Sequence, residues 1–159
     1  WLLAAAVLTA MALRSYQADL EGLQWMVLFI PLVLASGGDA GSQSATLIIR
    51  ALAVSHLGRE QTIRILLREL ILASMLGGGL ALLSFLVATG FVTGNQAAVV
   101  GLTVFLVVAM GTVTGAMLPM GFQRMGLDPA LMSNPLIAAF VDVVGIVVYY
   151  SVAKAIVIG

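Results

Sequence analysis

Cysteine is absent from this 159-residue chain, and charge is scarce. The missing cysteine excludes disulfides and thiolate metal sites. Only 9% of residues are charged, against about 25% in an ordinary soluble domain. Too few polar groups remain to coat a water-facing surface, so lipid has to be the main solvent. Lys and Arg balance Asp and Glu at zero net charge, which leaves no basic field for nucleic acid and no acidic tail. What is abundant is apolar: 62% hydrophobic residues and a mean hydropathy of +1.15. These features predict an all-α, polytopic membrane protein.

A helix needs about 20 apolar residues to cross a bilayer. Five stretches qualify or nearly do, giving five transmembrane helices per subunit. The first is Trp1 to about Leu13, followed by a polar patch of Arg14, Ser15, Gln17, Asp19 and Glu21. It has neither the basic start nor the cleavage site of a signal peptide. The second, about Leu23 to Leu57, is interrupted by Gly37-Gly38-Asp39-Ala40-Gly41. At roughly 50 Å it exceeds a hydrocarbon core of about 30 Å and must break, tilt or project into water. Gly58 to Glu69 is expected as a short interfacial helix, with Glu60, Arg64 and Arg68 on one face. The third span runs from about Leu66 to Ala88, the fourth from Ala97 to Met120, and the fifth from Pro129 to Val157. Turns are expected at Thr93–Gln96 and Gln123–Gly126. A start at Trp1, without an initiator Met and inside an apolar run, suggests a membrane domain of a longer protein.

Basic residues favour cytoplasmic loops. Arg50, Arg59, Arg64, Arg68 and Arg124 fall on one side of this plan, and Arg14 and Lys154 on the other. The expectation is a multi-pass protein of the cell inner or plasma membrane with a cytoplasmic N-terminus.

Asp142 is the strongest chemical clue. It sits mid-span with no basic residue three or four positions away, and an ionisable group at that depth costs several kcal/mol unless it faces a cavity or partner. The plainer reading is a protonated Asp bonded to a neighbouring helix. Its surroundings favour a lined path. Asn134, Ala138 and Asp142 are spaced by four and share a face. Ala138 and Gly145 are small, and Pro135 has no N–H to offer the Leu131 carbonyl. Asp128 lies about four turns, roughly 21 Å, before Asp142 and on nearly the same face. It also reads as a helix N-cap ahead of Pro129, and the two roles are compatible. The segment Pro31–Thr46, with its glycines, serines and Asp39, implies either tight helix packing or a broken helix beside a polar cavity.

The available metal ligands are hard oxygens, which suit Mg²⁺, Ca²⁺ or Mn²⁺ rather than Zn²⁺ or Cu⁺. His56, the single histidine, sits beside a charged loop and reads as a surface residue. One Asp142 is too little charge for a divalent ion, and a two-fold dimer would supply two. No zinc-protease, nucleophile-elbow or phosphate-loop motif occurs. Asp39 and Asp142 could be forced into an aspartyl-protease pair, but nothing else supports it. No enzymatic activity is expected.

The segment Gly38-Asp39-Ala40-Gly41-Ser42-Gln43-Ser44-Ala45-Thr46-Leu47-Ile48-Ile49-Arg50-Ala51-Leu52-Ala53 resembles the second-helix signature of the MgtE magnesium channels. Leu127-Asp128-Pro129-Ala130-Leu131-Met132-Ser133-Asn134-Pro135-Leu136-Ile137-Ala138, followed by Asp142, resembles their fifth-helix motif. The resemblance implies that residues 1–159 are the transmembrane pore domain of a homodimer, with one pore on the two-fold axis lined mainly by the second and fifth helices. It implies that Asp142 of both subunits and the Ala138 main-chain carbonyl recognise hydrated Mg²⁺. Asn134 would line the path and Asp128 the cytoplasmic mouth, with Gly38, Asp39 and Pro135 as further lining positions. Mn²⁺, Co²⁺ and Ca²⁺ are the other candidate ions. Asp39 departs from the pattern, standing where the family usually has Asn. The family's cytoplasmic regulatory region, an N-terminal domain with paired CBS domains and a connecting helix, is absent from this chain, so Mg²⁺-dependent closing does not carry over.

The functional expectation is a passive Mg²⁺ channel domain. Each elementary charge gains about 2.3 kcal/mol per 100 mV of membrane potential, doubled for a divalent ion. The alternatives are a secondary transporter exchanging a divalent cation for H⁺ or Na⁺, and a non-conducting assembly subunit.

Overall fold

The structure is a computed structural model, and it describes residues 2–16, 23–54 and 59–158. The chain is all-α. Among the described residues five α-helices follow in order: α1 (Leu2–Ser15), α2 (Gln24–Val54), α3 (Arg59–Ala88), α4 (Gly94–Arg124) and α5 (Pro129–Ala153). A π-helical turn, Lys154–Ile158, continues α5. Four of the helices are long and apolar enough to cross a membrane, over Gln24–Ala53, Ile63–Ala88, Gly94–Arg124 and Asn134–Val157. His56, Gln17, Asp19 and Glu21 lie outside the described residues.

α4 is the hub, packed against α2, α3 and α5. Its sequence explains this: from Gly94 to Gln123 it carries no charge. Val99, Val100, Val104, Val107 and Val108 have no exposed surface at all. α1 rests on α5, where Tyr16 and Tyr150 stack at a tilt with ring centroids 4.5 Å apart. α3 is the outermost of the long helices, exposing Leu67, Ile71, Met75, Leu82, Leu83 and Leu86. An apolar surface of that extent belongs against lipid tails.

Two expectations are corrected, the first only in part: of the alternatives left open for α2, a break at the glycine cluster does not occur, and the helix runs on for 31 residues. At about 46 Å, its excess length has to be taken up by tilt or by projection beyond the hydrocarbon. The reason it stays whole is close packing. A Cβ at Gly111 would collide with the Gly37 carbonyl oxygen, and one at Gly115 with that of Gly41. A Cβ at Gly41 would lie 2.9 Å from the Gly111 oxygen. Two Gly-x-x-x-Gly pairs, Gly37/Gly41 and Gly111/Gly115, thus bring the backbones of α2 and α4 together, as small residues do in membranes. The second correction concerns residues 59–69, which form no separate interfacial helix. They are the first turns of α3, because no glycine or proline intervenes before Gly77.

The turns match the sequence. The Thr93 N–H donates to Gln96 Oε1 at 3.1 Å, opening α4. Gly126, at φ +72, closes it: Gly126 N–H donates to the Gln123 carbonyl and Leu127 N–H to that of Phe122. This is the Schellman arrangement, in which glycine takes the left-handed position.

Candidate functional site

α5 has two unlike faces. Ile137, Val141 and Tyr149 are buried. Ile137 and Val141 fill the notches above Gly41 and Gly37, where a Cβ would come within 2.6 and 2.7 Å of their methyl groups. Asn134, Ala138 and Asp142 border this buried stripe, while the face opposite it carries exposed Phe140, Val147 and Ser151; Asn134 is exposed, and Ala138 and Asp142 are half-buried. The predicted spacing of four brings these three residues to one side of the helix, at the edge of the protomer core rather than opposite it. Pro135 is half-buried within the same helix.

The glycine notches also set depth. Val141 shares a layer with Gly37 and Val107, and Ile137 with Gly41 and Gly111. The two helices run antiparallel, so Ala138 lies near the depth of Ala40 and Asp142 near that of Ser36, with Gly38 and Asp39 between those levels. Gly38 borders open space, since nothing lies within 4 Å of a Cβ built there. Asp39 is exposed. Asp142 makes no hydrogen bond and no ion pair with any described residue. A neutral Asp bonded to a neighbouring helix is therefore not what this protomer displays.

Asp128 is the N-cap of α5. Its Oδ1 accepts the Ala130 N–H at 2.9 Å, and Pro129 takes the first helical position. The second carboxylate oxygen is left for other partners. Two variants separate the roles. Asp128→Ala is expected to cost about 1 kcal/mol of stability in thermal unfolding. Asp128→Asn, an equally good cap, is expected to keep stability in the same measurement, so any other effect of this variant reports the lost charge.

Among the described residues no three of His, Cys, Asp and Glu converge on one point. The described residues of one protomer thus hold no cluster of three such ligands, and the oxygens near Asp142 come from single side chains and main chain. One buried acid escaped the sequence reading. Glu69 of α3 is 6% exposed and accepts a hydrogen bond from Ser44 Oγ of α2 at 2.8 Å. Its neighbours Arg64 and Arg68 had placed it in a water-facing segment. The signal available was its offset of about 100° from Arg68 around the helix.

A family model described as "divalent cation transporter" matches residues 30–152, which covers α2 from Ile30 to nearly the end of α5. The chain belongs to the MgtE family. It is 39% identical over 155 residues to the magnesium transporter MgtE of Thermus thermophilus, covering 96% of this chain and 34% of the relative. The Bacillus subtilis MgtE is 29% identical over 146 residues, covering 89% and 32%. That of Enterococcus faecalis is 25% identical over 148 residues, covering 92% and 32%. The chain thus spans about a third of the length of these MgtE relatives. As a member of this family it is a multi-pass membrane protein of the ion-transport class.

Proposed function

We propose that this chain is the membrane-spanning pore domain of a Mg²⁺ channel and works as a homodimer, with the pore on the two-fold axis between copies of α2 and α5. The observation that carries the reading is Asp142: mid-span, without a hydrogen-bonding partner among the described residues, on a half-buried face of α5 at the edge of the protomer core. A second copy across that face doubles the carboxylate and gives a site charge suited to a divalent ion. Mg²⁺ releases water reluctantly, so the Asp142 pair and the Ala138 carbonyl act on the hydrated ion. Asn134 and Pro135 line the approach, Asp128 stands at the cytoplasmic mouth, and Gly38 leaves room on α2. The N-terminus is cytoplasmic, with the basic loops on that side, and any regulatory domains of the full-length protein lie there too. Mn²⁺, Co²⁺ and Ca²⁺ are the competing ions.

Reconstitution tests the reading. Liposomes containing the chain should take up Mg²⁺ down its gradient and faster with an inside-negative potential, and planar bilayers should show unitary currents. Flux strictly tied to an opposing H⁺ or Na⁺ gradient, without unitary openings, would identify an exchanger instead. No uptake at all would leave only an assembly role. Asp39→Asn restores the residue the family usually has. It should keep Mg²⁺ flux and, by removing one negative charge per protomer, weaken divalent block of the current by a few-fold.

A further inference from the structure

Glu69 stands apart from the other described acidic side chains, which are exposed or half-buried. It lies about 15 Å along α3 from Arg59, within the apolar span Ile63–Ala88. It borders a cleft of about 250 Å³ between α2, α3 and α4, lined by Gln43, Ser44, Ala73 and Thr112 among others. Ser44 and Thr112 are at least as buried as Glu69. This is a different place from the face of Asp142. Gly37 and Gly41 of α2 meet α4 and α5, whereas Gln43, Ser44 and Leu47 border α3.

The two hydroxyl hydrogens of the cleft are already committed. The Ser44 hydroxyl donates to Glu69 Oε2, and the Thr112 hydroxyl donates to the Val108 carbonyl at 2.9 Å. What both oxygens have left for the cleft is lone pairs. With the Glu69 carboxylate and the Gln43 amide oxygen, the cleft offers an acceptor-rich set of hard oxygens. No basic side chain among the described residues pairs with Glu69. A buried carboxylate that stays ionised needs a counter-charge. One carboxylate among neutral oxygens is balanced by a single positive charge; a divalent ion would leave an excess charge buried in the membrane. The cleft is also large enough for an ion and a few waters, each water occupying about 30 Å³.

We propose that Glu69, Ser44 and Thr112 form a second ion site, which takes a monovalent metal cation such as Na⁺ and ties α3 to α2 and α4. Ile65 and Leu66 of α3 pack against the apolar cluster of Ile48, Leu52, Ala116 and Met120 on α2 and α4, and the cation adds a polar tie between the same three helices beside it.

The test uses the chain in lipid nanodiscs without Mg²⁺, with NaCl replacing N-methyl-D-glucamine chloride at constant ionic strength. Thermal unfolding and ²³Na line broadening are the readouts. Wild type and Asp142→Asn should both show a saturable rise in Tm of about 5 °C at Na⁺ well above Kd. Glu69→Gln, nearly isosteric but uncharged, should lose both the rise and the broadening. Ser44→Ala should need about tenfold more Na⁺, which keeps the proposal testable if Glu69→Gln does not fold. A flat wild-type response, a Glu69→Gln response equal to wild type, or unchanged Na⁺ affinity in Ser44→Ala would overturn it. So would micromolar Mg²⁺ displacing Na⁺ from Asp142→Asn, which would make the site divalent. Transport is not part of the readout, so this result is separable from that of the channel reading.

Discussion

Asp142→Asn and Asp142→Ala are expected to reduce Mg²⁺ flux into liposomes by on the order of 10–100-fold, the range typical of losing a partner that holds a metal through its outer shell. The amide of Asn keeps the size and polarity of the side chain but removes one negative charge per protomer, hence two in the proposed dimer. Ala removes the oxygens as well. If charge is what selects the ion, Asn should already forfeit most of the discrimination against K⁺ and Na⁺, and Ala should add little. If a directed oxygen matters more, Asn should hold an intermediate rate. Neither variant should disturb folding by more than about 0.5 kcal/mol, because Asp142 bonds to no described residue and such positions rarely matter to stability. Thermal unfolding in the same lipid provides that control. Flux at the wild-type rate from folded Asp142→Ala would defeat the role given to this residue.

Gly111→Ala and Gly115→Ala should have the largest effect on the fold. Each added methyl would meet a backbone carbonyl of α2, that of Gly37 or Gly41. Overpacking by one carbon usually costs about 1–3 kcal/mol. Here the obstructing atom is main chain and cannot rotate away, so the upper end of that range or beyond is expected. Gly111→Leu should yield no monodisperse protein. Gly78 and Gly79 on α3 supply the opposite sign. A Cβ at either meets nothing within 4 Å, so alanine there should be neutral or stabilise by about 0.5–1 kcal/mol through helix propensity. Equal losses at Gly111 and Gly78 would refute the close crossing of α2 and α4.

The long apolar runs locate α4, α5 and the end of α3 within a few residues, because hydropathy over 20 positions depends little on tertiary context; the start of α3, in its charged first turns, was placed seven residues late. The Asp128-Pro129 cap and the Gly126 turn were equally legible, since each is a local arrangement of one or two residues. The glycine cluster of α2 was not. Glycine in a helix can mark a break or a close neighbour, and the deciding residues, Gly111 and Gly115, lie some seventy positions away. At the site, spacing alone put Asn134, Ala138 and Asp142 on one face. Glu69 was hidden because Arg64 and Arg68 suggested water, while burial is decided by Ser44 and Thr112 on two other helices.

The backbone contacts between α2 and α4 reach further than stability. With Ile137 and Val141 of α5 lodged in the same glycine notches, three of the four long helices behave as a single stiff block. A conduit running between two such blocks would widen by the blocks sliding or rocking against each other. Flexing of an individual rod is ruled out by the same wedges that hold each block together.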